Sequence, residues 1–494
     1  MAQYTRTRKK RTQHRKKKKP STNNESFQEF REWLVPDSSI FSHIRLHGNT
    51  KWTPPFLVWL ALCWAWIDAR FLTDAFQEAR DCCQKMFGCM PLKTYPSFMG
   101  ALVSQTANFI TVLRAILRQR MEQIGGRWWR IDGWVPIAFD GSRSSAPRSS
   151  ANEKAFCAPN HGLGKTAKYR KKKTKGMRRK RNQKNKPAPP KPQAWITLLW
   201  HMGLRLPWDW RLGPSNSSER DHVEEMVLAT PFPKRTLFCG DAGFIGYPLW
   251  SVLLKQGSDF LVRVGANVNL LFDQVNYKMG ERNSKNDQLV LCWPKGVSAT
   301  GHPPLYLRLV RVRLSKKTRA WILTSVRDPE KLSPQAIIRF YKMRWGVEVE
   351  FRGLKQTLDR GKLRSRNDRH LLAELDWSIL AMAVAELFAL KEQLAQRALR
   401  SSGKKTPDPV KRSLAATMRA IRSGLRNLDA VPERGQDLAS KLRDAVTDNY
   451  RRKSKRARYR PKNPDKKKLG DPKLRVLSEQ ERQKLRKMPV LRAA

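Results

Sequence analysis

The chain has 494 residues, with 99 Lys and Arg against 42 Asp and Glu and a formal net charge of +57 at pH 7. The length excludes a single small domain, and two or three folded units are expected once the basic arms are set aside. The charge favours a polyanionic partner whatever the fold, so composition indicates nucleic acid without separating DNA from RNA.

The basic residues are concentrated in three runs, Arg6 to Lys19, Lys165 to Lys191 and Arg451 to Arg492. Each run is poor in apolar residues and rich in Lys, Arg, Asn or Pro, so each is predicted to be a disordered arm. Residues 1–25 form the first arm, and residues 401–494 are predicted to be a helical and basic C-terminal region. Residues 165–192 are interpreted as an inserted loop that lies against DNA, with a solvated loop without fixed contacts as the alternative.

Residues 26–130 carry helical patterning, including Phe71 to Met86 and Ser97 to Met121, and predict an all-helical N-terminal domain. The most apolar run, Pro55 to Ile67, is shorter than the roughly 20 residues that a membrane span needs. A buried helix is therefore predicted there, and no membrane partner. The basic N-terminus is not followed by an apolar segment, so no signal peptide is expected.

Residues 131–400 are predicted to form an α/β domain of the α+β kind. The predicted elements are strands at Trp134–Phe139, Ala194–Met202 and Pro207–Leu212, a helix at Glu219–Ala229, a strand at Thr236–Cys239, a helix at Tyr247–Lys255 and a strand at Asp259–Val264. This order is typical of a ribonuclease-H-like mixed sheet flanked by helices. A further helix at Leu371–Leu394 is expected to pack across the sheet.

Two of these apolar runs end in an acid at a glycine-containing turn. Asp140 follows the first run and precedes Gly141, and Asp241 follows the run at Thr236–Cys239. Either aspartate alone is compatible with ordinary turn chemistry. Further strand-like runs at Gln288–Trp293, Leu305–Leu314 and Ala320–Ser325 are too many for the core sheet.

The segment from Tyr341 to Lys355 is the most informative stretch of the chain. Ser333 and Pro334 predict an N-cap and a first-turn proline, so one helix is expected to begin there and run through the segment. At about 100° per residue, five polar side chains fall within an arc of roughly 80°, and they are Tyr341, Arg344, Glu348, Arg352 and Lys355. A carboxylate among phosphate-binding cations suits metal-assisted phosphodiester chemistry. The ordinary alternative is a solvent-facing helix with ion pairs.

The pattern Tyr-x2-Arg-x3-Glu-x6-Lys resembles the signature of DDE transposases of the IS-four family of bacterial insertion sequences. The resemblance implies that Glu348 is the third acid of a metal-binding triad with Asp140 and Asp241, which would hold two Mg²⁺ ions, with Mn²⁺ as a substitute. It also implies that the cations Arg344, Arg352 and Lys355 hold phosphates and that Tyr341 bonds to the phosphate beside the cleaved end. The resemblance accounts for the further strand-like runs as a β-rich insertion at residues 265–330, placed before the helix of Glu348.

The chain departs from the family pattern at both aspartates. Asp-Gly-Thr is common in the family at the first acid, whereas this chain has Asp140-Gly-Ser, a mild change. Asp-Arg-Gly-Tyr or Asp-Arg-Gly-Phe is common at the second acid, whereas Ala242 follows Asp241 here. The alanine removes a possible phosphate contact, which affects the expected DNA binding rather than the triad.

The resemblance implies a cut-and-paste DNA transposase that hydrolyses phosphodiesters and transfers strands at terminal inverted repeats, commonly through a DNA hairpin. The implied partners are double-stranded element ends and target DNA, bridged by a protein homodimer, and the N-terminal helical domain would help to recognise the ends. Trp293 is a candidate to stack on a flipped base, with Trp321 as a rival and core packing as the ordinary alternative.

Three other functions stay open at this stage. The chain could be a catalytically silent DNA-binding protein derived from a transposase, a basic RNA-binding protein, or a nuclease without joining activity. The seven cysteines form no paired Cys-x2-Cys sets, which favours reduced thiols. Localisation in a bacterial cytoplasm, associated with the nucleoid, is therefore expected.

Overall fold

The structure is a computed structural model that describes residues 22–157, 191–272, 286–316, 318–399, 408–433, 435–447 and 469–488. Most of the first predicted arm and nearly all of the predicted basic loop at 165–192 lie outside these residues, and the last residues of the arm, 22–25, instead form the cap and first turn of a helix. The N-terminal helices are α1 (Asn23–Leu34), α2 (Pro54–Trp66), α3 (Leu72–Phe87) and α4 (Tyr95–Gly125). They confirm the predicted helical patterning of this region.

The described strands form one ten-stranded mixed sheet. The strands are β1 (Val135–Ser145), β2 (Gln193–His201), β3 (Leu206–Gly213), β4 (Thr236–Gly240), β5 (Asp259–Val264), β6 (Asn269–Phe272), β7 (Asp287–Cys292), β8 (Leu305–Arg313), β9 (Arg319–Thr324) and β10 (Lys473–Val476). Their order is β10-β6-β7-β8-β9-β5-β4-β1-β2-β3. Neighbouring strands β1, β4 and β5 are parallel, and β2 and β3 continue the sheet antiparallel from β1.

The expectation that the strand-like runs between Asp241 and Glu348 are too many for the core sheet was wrong. Strand β9 pairs antiparallel with β5, from Leu261 opposite Thr324 to Val264 opposite Trp321. The free edge of β5 carries unpaired backbone donors and acceptors, which β9 satisfies. Strands β6 to β9 therefore extend the core sheet.

The remaining helices are α5 (Ser150–Phe156), α6 (Glu219–Ala229), α7 (Tyr247–Lys255), α8 (Lys295–Ala299), α9 (Pro334–Met343), α10 (Gly346–Gln356), α11 (Asp368–Leu399), α12 (Leu414–Arg426), α13 (Leu438–Arg443) and α14 (Glu479–Arg486). Helices α6 and α7 have the bounds expected from the sequence. Ser218 caps α6 by accepting a hydrogen bond from the backbone N–H of Asp221.

The single helix predicted from Ser333 through Lys355 is two helices. Ser333 caps α9 as expected, accepting from the Ala336 N–H at 3.2 Å. The chain then leaves the regular helix at Arg344 and Trp345, and α10 begins at Gly346. Gly346 packs closely against the indole of Trp200, since a Cβ at this position would lie 2.1 Å from the Trp200 ring.

Helix α11 joins the N-terminal helices to the sheet in one continuous apolar core. The Trp66 indole in α2 donates to the carbonyl oxygen of Ala381 at 2.7 Å, and the Trp377 indole donates to the hydroxyl of Thr106 in α4 at 3.1 Å. Helix α4 is long and apolar enough to cross a membrane by length and composition. In the structure its residue Phe109 is fully buried, with its ring against Trp377.

Part of the third basic run is ordered, although it was predicted to be an arm. Strand β10 pairs parallel with β6, and Ser478 and Glu481 form a capping box at the start of α14. Arg475 makes a bidentate ion pair with Glu481, and Leu477 is buried in a small apolar cluster with Trp293. These local bonds explain how a charge-rich segment acquires structure.

Candidate active site

The two aspartates predicted at strand ends lie on neighbouring parallel strands. Strand β1 pairs with β4 from Val135 opposite Thr236 to Ala138 opposite Cys239. Continuing this register by two residues brings Asp140, which lies in the middle of β1, opposite Asp241, which directly follows the last residue of β4. The carboxylate of Asp140 accepts from the Gly141 N–H at 2.9 Å, and that of Asp241 accepts from the Gly243 N–H at 2.7 Å.

Helix α10 brings the predicted third acid to the first. Asp140 and Glu348 line one cavity of about 410 Å³, together with Ser142, Arg352 and Lys355. The Lys355 ammonium donates to the Ser142 hydroxyl at 2.6 Å, which fixes α10 to β1. The cavity thus contains two acids and two cations from the predicted set.

Gly346 sets how closely α10 approaches the sheet. We expect Gly346→Ala to lower the free energy of unfolding by about 1–3 kcal/mol, because the added methyl group overpacks the contact with Trp200. Urea denaturation measures the change. Gly100→Ala is the matched control, since Gly100 lies in α4 with no atom within 4 Å of a Cβ. It should stabilise the helix by up to about 1 kcal/mol, and equal effects of the two changes would contradict the packing argument.

Arg344 lies between the first and third acids. Its side chain is 9% exposed, with Nη1 3.5 Å from Asp140 Oδ2 and Nη2 3.2 Å from Glu348 Oε1. Its Nε and Nη1 atoms are buried and make no hydrogen bond within the described part of the chain. The guanidinium therefore bridges the two carboxylates and still has unused donor capacity, which a phosphate oxygen could accept.

The acids of this site repel one another. Burial raises the pKa of Asp140 to about 6, with further increases from the charges of Asp241 and Glu348, while the Gly141 N–H and Arg344 oppose the shift. A raised pKa in a carboxyl group means that its charged form is costly in this environment. A bound cation would reduce that cost.

Sequence reasoning missed a fourth acid, Glu219. Burial raises its pKa to about 7, and the charges of Asp140 and Asp241 add to the shift. The predicted topology contained a signal for it: β3 runs parallel to β1, so the helix that follows β3 must begin at the edge of the sheet where Asp140 lies. Glu219 is the first residue of that helix.

The other predicted residues lie further from the acids. Tyr341 is half-buried, with its ring centroid 5.7 Å from the Arg344 guanidinium carbon. Trp293 is 4% exposed, and its indole donates to the His302 carbonyl oxygen at 2.7 Å, so base stacking would require the ring to leave its apolar cluster. The indole of the rival, Trp321, donates to Asp471 at 2.8 Å.

The side chains of Asp140, Asp241 and Glu348 fit a hard divalent cation by their chemistry. They are carboxylates, the ligand type that Mg²⁺ prefers, and the mutual repulsion of the three favours a cation among them. Among the described residues, no group of three or more His, Cys, Asp or Glu side chains is gathered closely enough to hold a metal ion. Arg344 lies between Asp140 and Glu348, which is consistent with carboxylates that stand apart from each other.

Comparisons with known proteins identify a transposase domain in the chain. The family model described as "Transposase DDE domain" matches residues 137–384, about half of the chain, a range that contains the three predicted acids. The protein named "Putative transposase y4zB" from Sinorhizobium fredii (strain NBRC 101917 / NGR234) is 27% identical over 164 residues, which cover 32% of this chain and 44% of that protein. The match thus spans less than half the length of that relative. A solved structure described as "Cryo-EM structure of piggyBac transposase synaptic complex with hairpin DNA (SNHP)" aligns with a TM-score of 0.35 and 12% identity, over 87% of this chain and 84% of the other.

Proposed function

The chain belongs to the transposase DDE domain family, and from this premise we propose that it moves a bacterial insertion sequence by cut and paste. It would hydrolyse phosphodiesters at terminal inverted repeats and then join the freed 3′-hydroxyl to target DNA. We place it in the IS-four family on the spacing of Tyr341, Arg344, Glu348 and Lys355. Strands β1 to β5 with α6 and α7 would form its ribonuclease-H-like core.

One observation supports this proposal most directly. Asp140 in β1 and Asp241, directly after β4, come opposite each other when the parallel register of the two strands is continued, and Glu348 lines the same cavity as Asp140. These residues come from positions 140, 241 and 348, so local sequence does not bring them together. Acids that converge from distant segments, in a chain of net charge +57, suit chemistry on a polyanionic backbone.

The three acids would hold two Mg²⁺ ions, for which Mn²⁺ can substitute. When bound, such ions activate the attacking hydroxyl and stabilise the leaving oxygen. Arg344 would exchange its contacts with Asp140 and Glu348 for DNA phosphate oxygens. Arg352 is exposed at the cavity and would hold the phosphate backbone, while Tyr341 would bond to the phosphate beside the cleaved end.

The partners would be double-stranded element ends and target DNA. A homodimer would bridge two ends in the synaptic complex, and the N-terminal helices would contribute to recognition of the ends. The bacterial cytoplasm, at the nucleoid, is the corresponding location.

Purified protein incubated with DNA that carries candidate element ends tests the proposal. With Mg²⁺ or Mn²⁺ we expect cleavage at the ends and joining of the 3′-hydroxyl to a target plasmid, and EDTA should abolish both. Cleavage without joining would identify a nuclease. Binding to duplex ends without cleavage would identify a silent DNA-binding protein, and metal-independent preference for RNA would identify an RNA-binding protein.

Lys355→Ala should weaken binding to element ends by about tenfold, since one charge-assisted hydrogen bond to phosphate contributes about 1.5 kcal/mol or more. Burial lowers the pKa of Lys355, and its ammonium already lies at the cavity. Electrophoretic mobility shifts with labelled ends measure the affinity. Lys342→Ala is the control, because Lys342 is exposed on α9 outside the cavity-lining set. Equal losses in both variants would reduce Lys355 to a contributor of general surface charge.

A further inference from the structure

A groove lies between the N-terminal helices and the segment that leads into α11. Its volume is about 630 Å³, within the range of ligand-binding clefts. We call it the cationic groove, and its side chains include Arg70, Phe71, Tyr95, Arg364, Arg366 and His370. Among the described residues that line it, none is Asp or Glu. Asp359 pairs with Arg364 at 2.9 Å, whereas Arg70 and Arg366 have no acidic partner among the described residues.

The backbone that carries these cations is held in place. Glu374, which is fully buried in α11, accepts hydrogen bonds from the backbone N–H of Ser365 at 3.0 Å and from its hydroxyl at 2.8 Å. The Arg364 guanidinium donates to the Ala69 carbonyl oxygen at 2.5 Å, which joins this segment to the N-terminal helices. Arg366 follows directly and is exposed. The groove is thus a preformed surface, which reduces the ordering that a ligand must impose.

Phe71 presents an aromatic ring at the groove. It is 55% exposed and directly precedes α3 as its N-cap residue. The Arg70 guanidinium carbon lies 5.2 Å from the centre of its ring, a cation–π distance. A single exposed apolar residue is ordinary on a protein surface, but this ring lies among cations in a concave site. Proteins hold single-stranded nucleic acid by this combination, with cations along the backbone and aromatic rings stacked on bases.

The charge of the groove decides between possible occupants. The basic runs of this chain would be repelled from it, and an apolar partner surface would bury its arginines without partners. Duplex DNA can meet the cations, but its bases are stacked on one another and leave no face for Phe71. An unpaired strand offers both phosphates to the cations and a base to the ring.

The groove begins close to the active-site cavity. Gly361 packs against Lys355 of that cavity, since a Cβ at Gly361 would lie 3.5 Å from the Lys355 carbonyl oxygen. The backbone N–H of Ser145 in β1 donates to the Gly361 carbonyl oxygen at 3.0 Å, and the Ser145 carbonyl oxygen accepts from the Leu363 N–H at 2.8 Å. Ser145 lies only about 10 Å beyond Ser142 along the strand. A DNA strand that leaves the cavity can therefore reach the groove.

We propose that the cationic groove binds unpaired DNA, with Phe71 stacked on a base and with Arg70 and Arg366 on the neighbouring phosphates. This inference rests on the proposed function, which supplies the unpaired strand at an opened element end. It deepens that function by assigning a path for the strand outside the active-site cavity.

Fluorescence anisotropy of a labelled oligothymidine strand with the full chain, without metal, tests the proposal. Phe71→Ala should weaken binding of the strand by about fivefold or more, as expected for loss of one stack between a base and an aromatic ring. Binding of a blunt duplex should stay nearly unchanged. Phe71→Tyr, which keeps the ring, should bind the strand like the unchanged protein. Leu228→Ala is the matched control, because Leu228 is 61% exposed on α6 outside the groove.

Salt dependence separates the charged contacts from the stacked one. Arg366→Ala should reduce the slope of log affinity against log salt concentration by about 0.7, the value for one phosphate contact on a single strand. Phe71→Ala should lower the affinity and leave the slope unchanged. Arg419→Ala is the control for charge, since Arg419 is exposed on α12 outside the groove, and it should keep the slope of the unchanged protein.

Unchanged strand binding in both Phe71→Ala and Arg366→Ala would overturn the proposal, and so would equal losses for the strand and the blunt duplex. Loss of binding in Phe71→Tyr as well would show that the ring acts through packing and would also overturn it. Tighter binding of oligouridine, removed by Phe71→Ala, would assign the groove to RNA instead of DNA. If the groove fails while the unchanged protein cleaves and joins element ends, the proposed function stands. If no ends are cleaved with Mg²⁺ while Phe71→Ala loses the strand, the groove stands and the proposed function fails.

Discussion

Asp140→Asn should reduce strand cleavage by about 10³-fold or more, because metal-dependent stabilisation of several kcal/mol is lost at 1.36 kcal/mol per factor of ten. Asparagine keeps the shape of the side chain and removes the charge that would bind the cation. We expect the same result for Asp241→Asn and Glu348→Gln. Cleavage of labelled element ends with Mg²⁺ measures the effect, and mobility shifts should show that DNA binding survives.

Glu350→Gln provides the matched control for Glu348→Gln. The two residues lie two positions apart on α10, and Glu350 points away from the cavity, where it is 6% exposed. Burial, followed by the nearby charge of Glu386, raises the pKa of Glu350 well above its ordinary value, and a glutamine keeps the shape of this side chain outside the cavity. We therefore expect nearly normal cleavage. Retained Mg²⁺-dependent cleavage in one of the three triad variants would remove that residue from the triad.

Local chemistry made much of the fold predictable. The bounds of α6 and α7 follow from the Ser218 cap and from the first-turn Pro248. The first strand was predicted to end at Phe139, before a turn at Asp140 and Gly141, which was wrong, because β1 continues to Ser145 by pairing with β2. Polar groups at helix starts and apolar runs in strands act within a few residues, so sequence reveals them. The pairing of β9 with β5 depends instead on residues about sixty positions apart.

Some features of the candidate site could likewise be predicted from local sequence patterns, and others depend on contacts between distant residues. The positions of Asp241 directly after a strand and of Glu348 on a helix could be predicted from patterns, whereas Asp140 was expected at the end of a strand and lies within β1. The bridging position of Arg344 could not be predicted, because it depends on contact with Asp140, a residue far away in sequence. Glu219 was missed because its position near Asp140 and Asp241 depends on topology and on the absence of a side chain at Gly141, rather than on its own surroundings in sequence.

The largest loss of stability is expected at Asp209, which lies on β3 with a side chain that is 4% exposed. Its carboxylate is 2.8 Å from Arg114 Nη1 and 3.2 Å from Arg211 Nη1, and it accepts from the Trp210 N–H at 2.7 Å. Burial lowers the pKa of Arg114, and the charge of Asp209 opposes that shift. Asp209→Ala would leave buried cations without their main partner, so we expect a loss of about 3–5 kcal/mol in the free energy of unfolding.

Urea denaturation of the full chain measures this loss, and Asp81→Ala is the control. Asp81 also pairs with an arginine, Arg80 at 3.1 Å, but its side chain is 65% exposed, so its removal should cost less than about 1 kcal/mol. Because the Asp209 cluster joins α4 to β3, its loss should loosen the contact between the N-terminal helices and the sheet. Asp140 and Asp241 lie outside that contact. The variant should therefore retain Mn²⁺ binding at temperatures where it stays folded. A loss for Asp209→Ala no larger than that for Asp81→Ala would show that water or Asp376 compensates the arginines, and that the N-terminal helices are held mainly by the apolar contacts of α11.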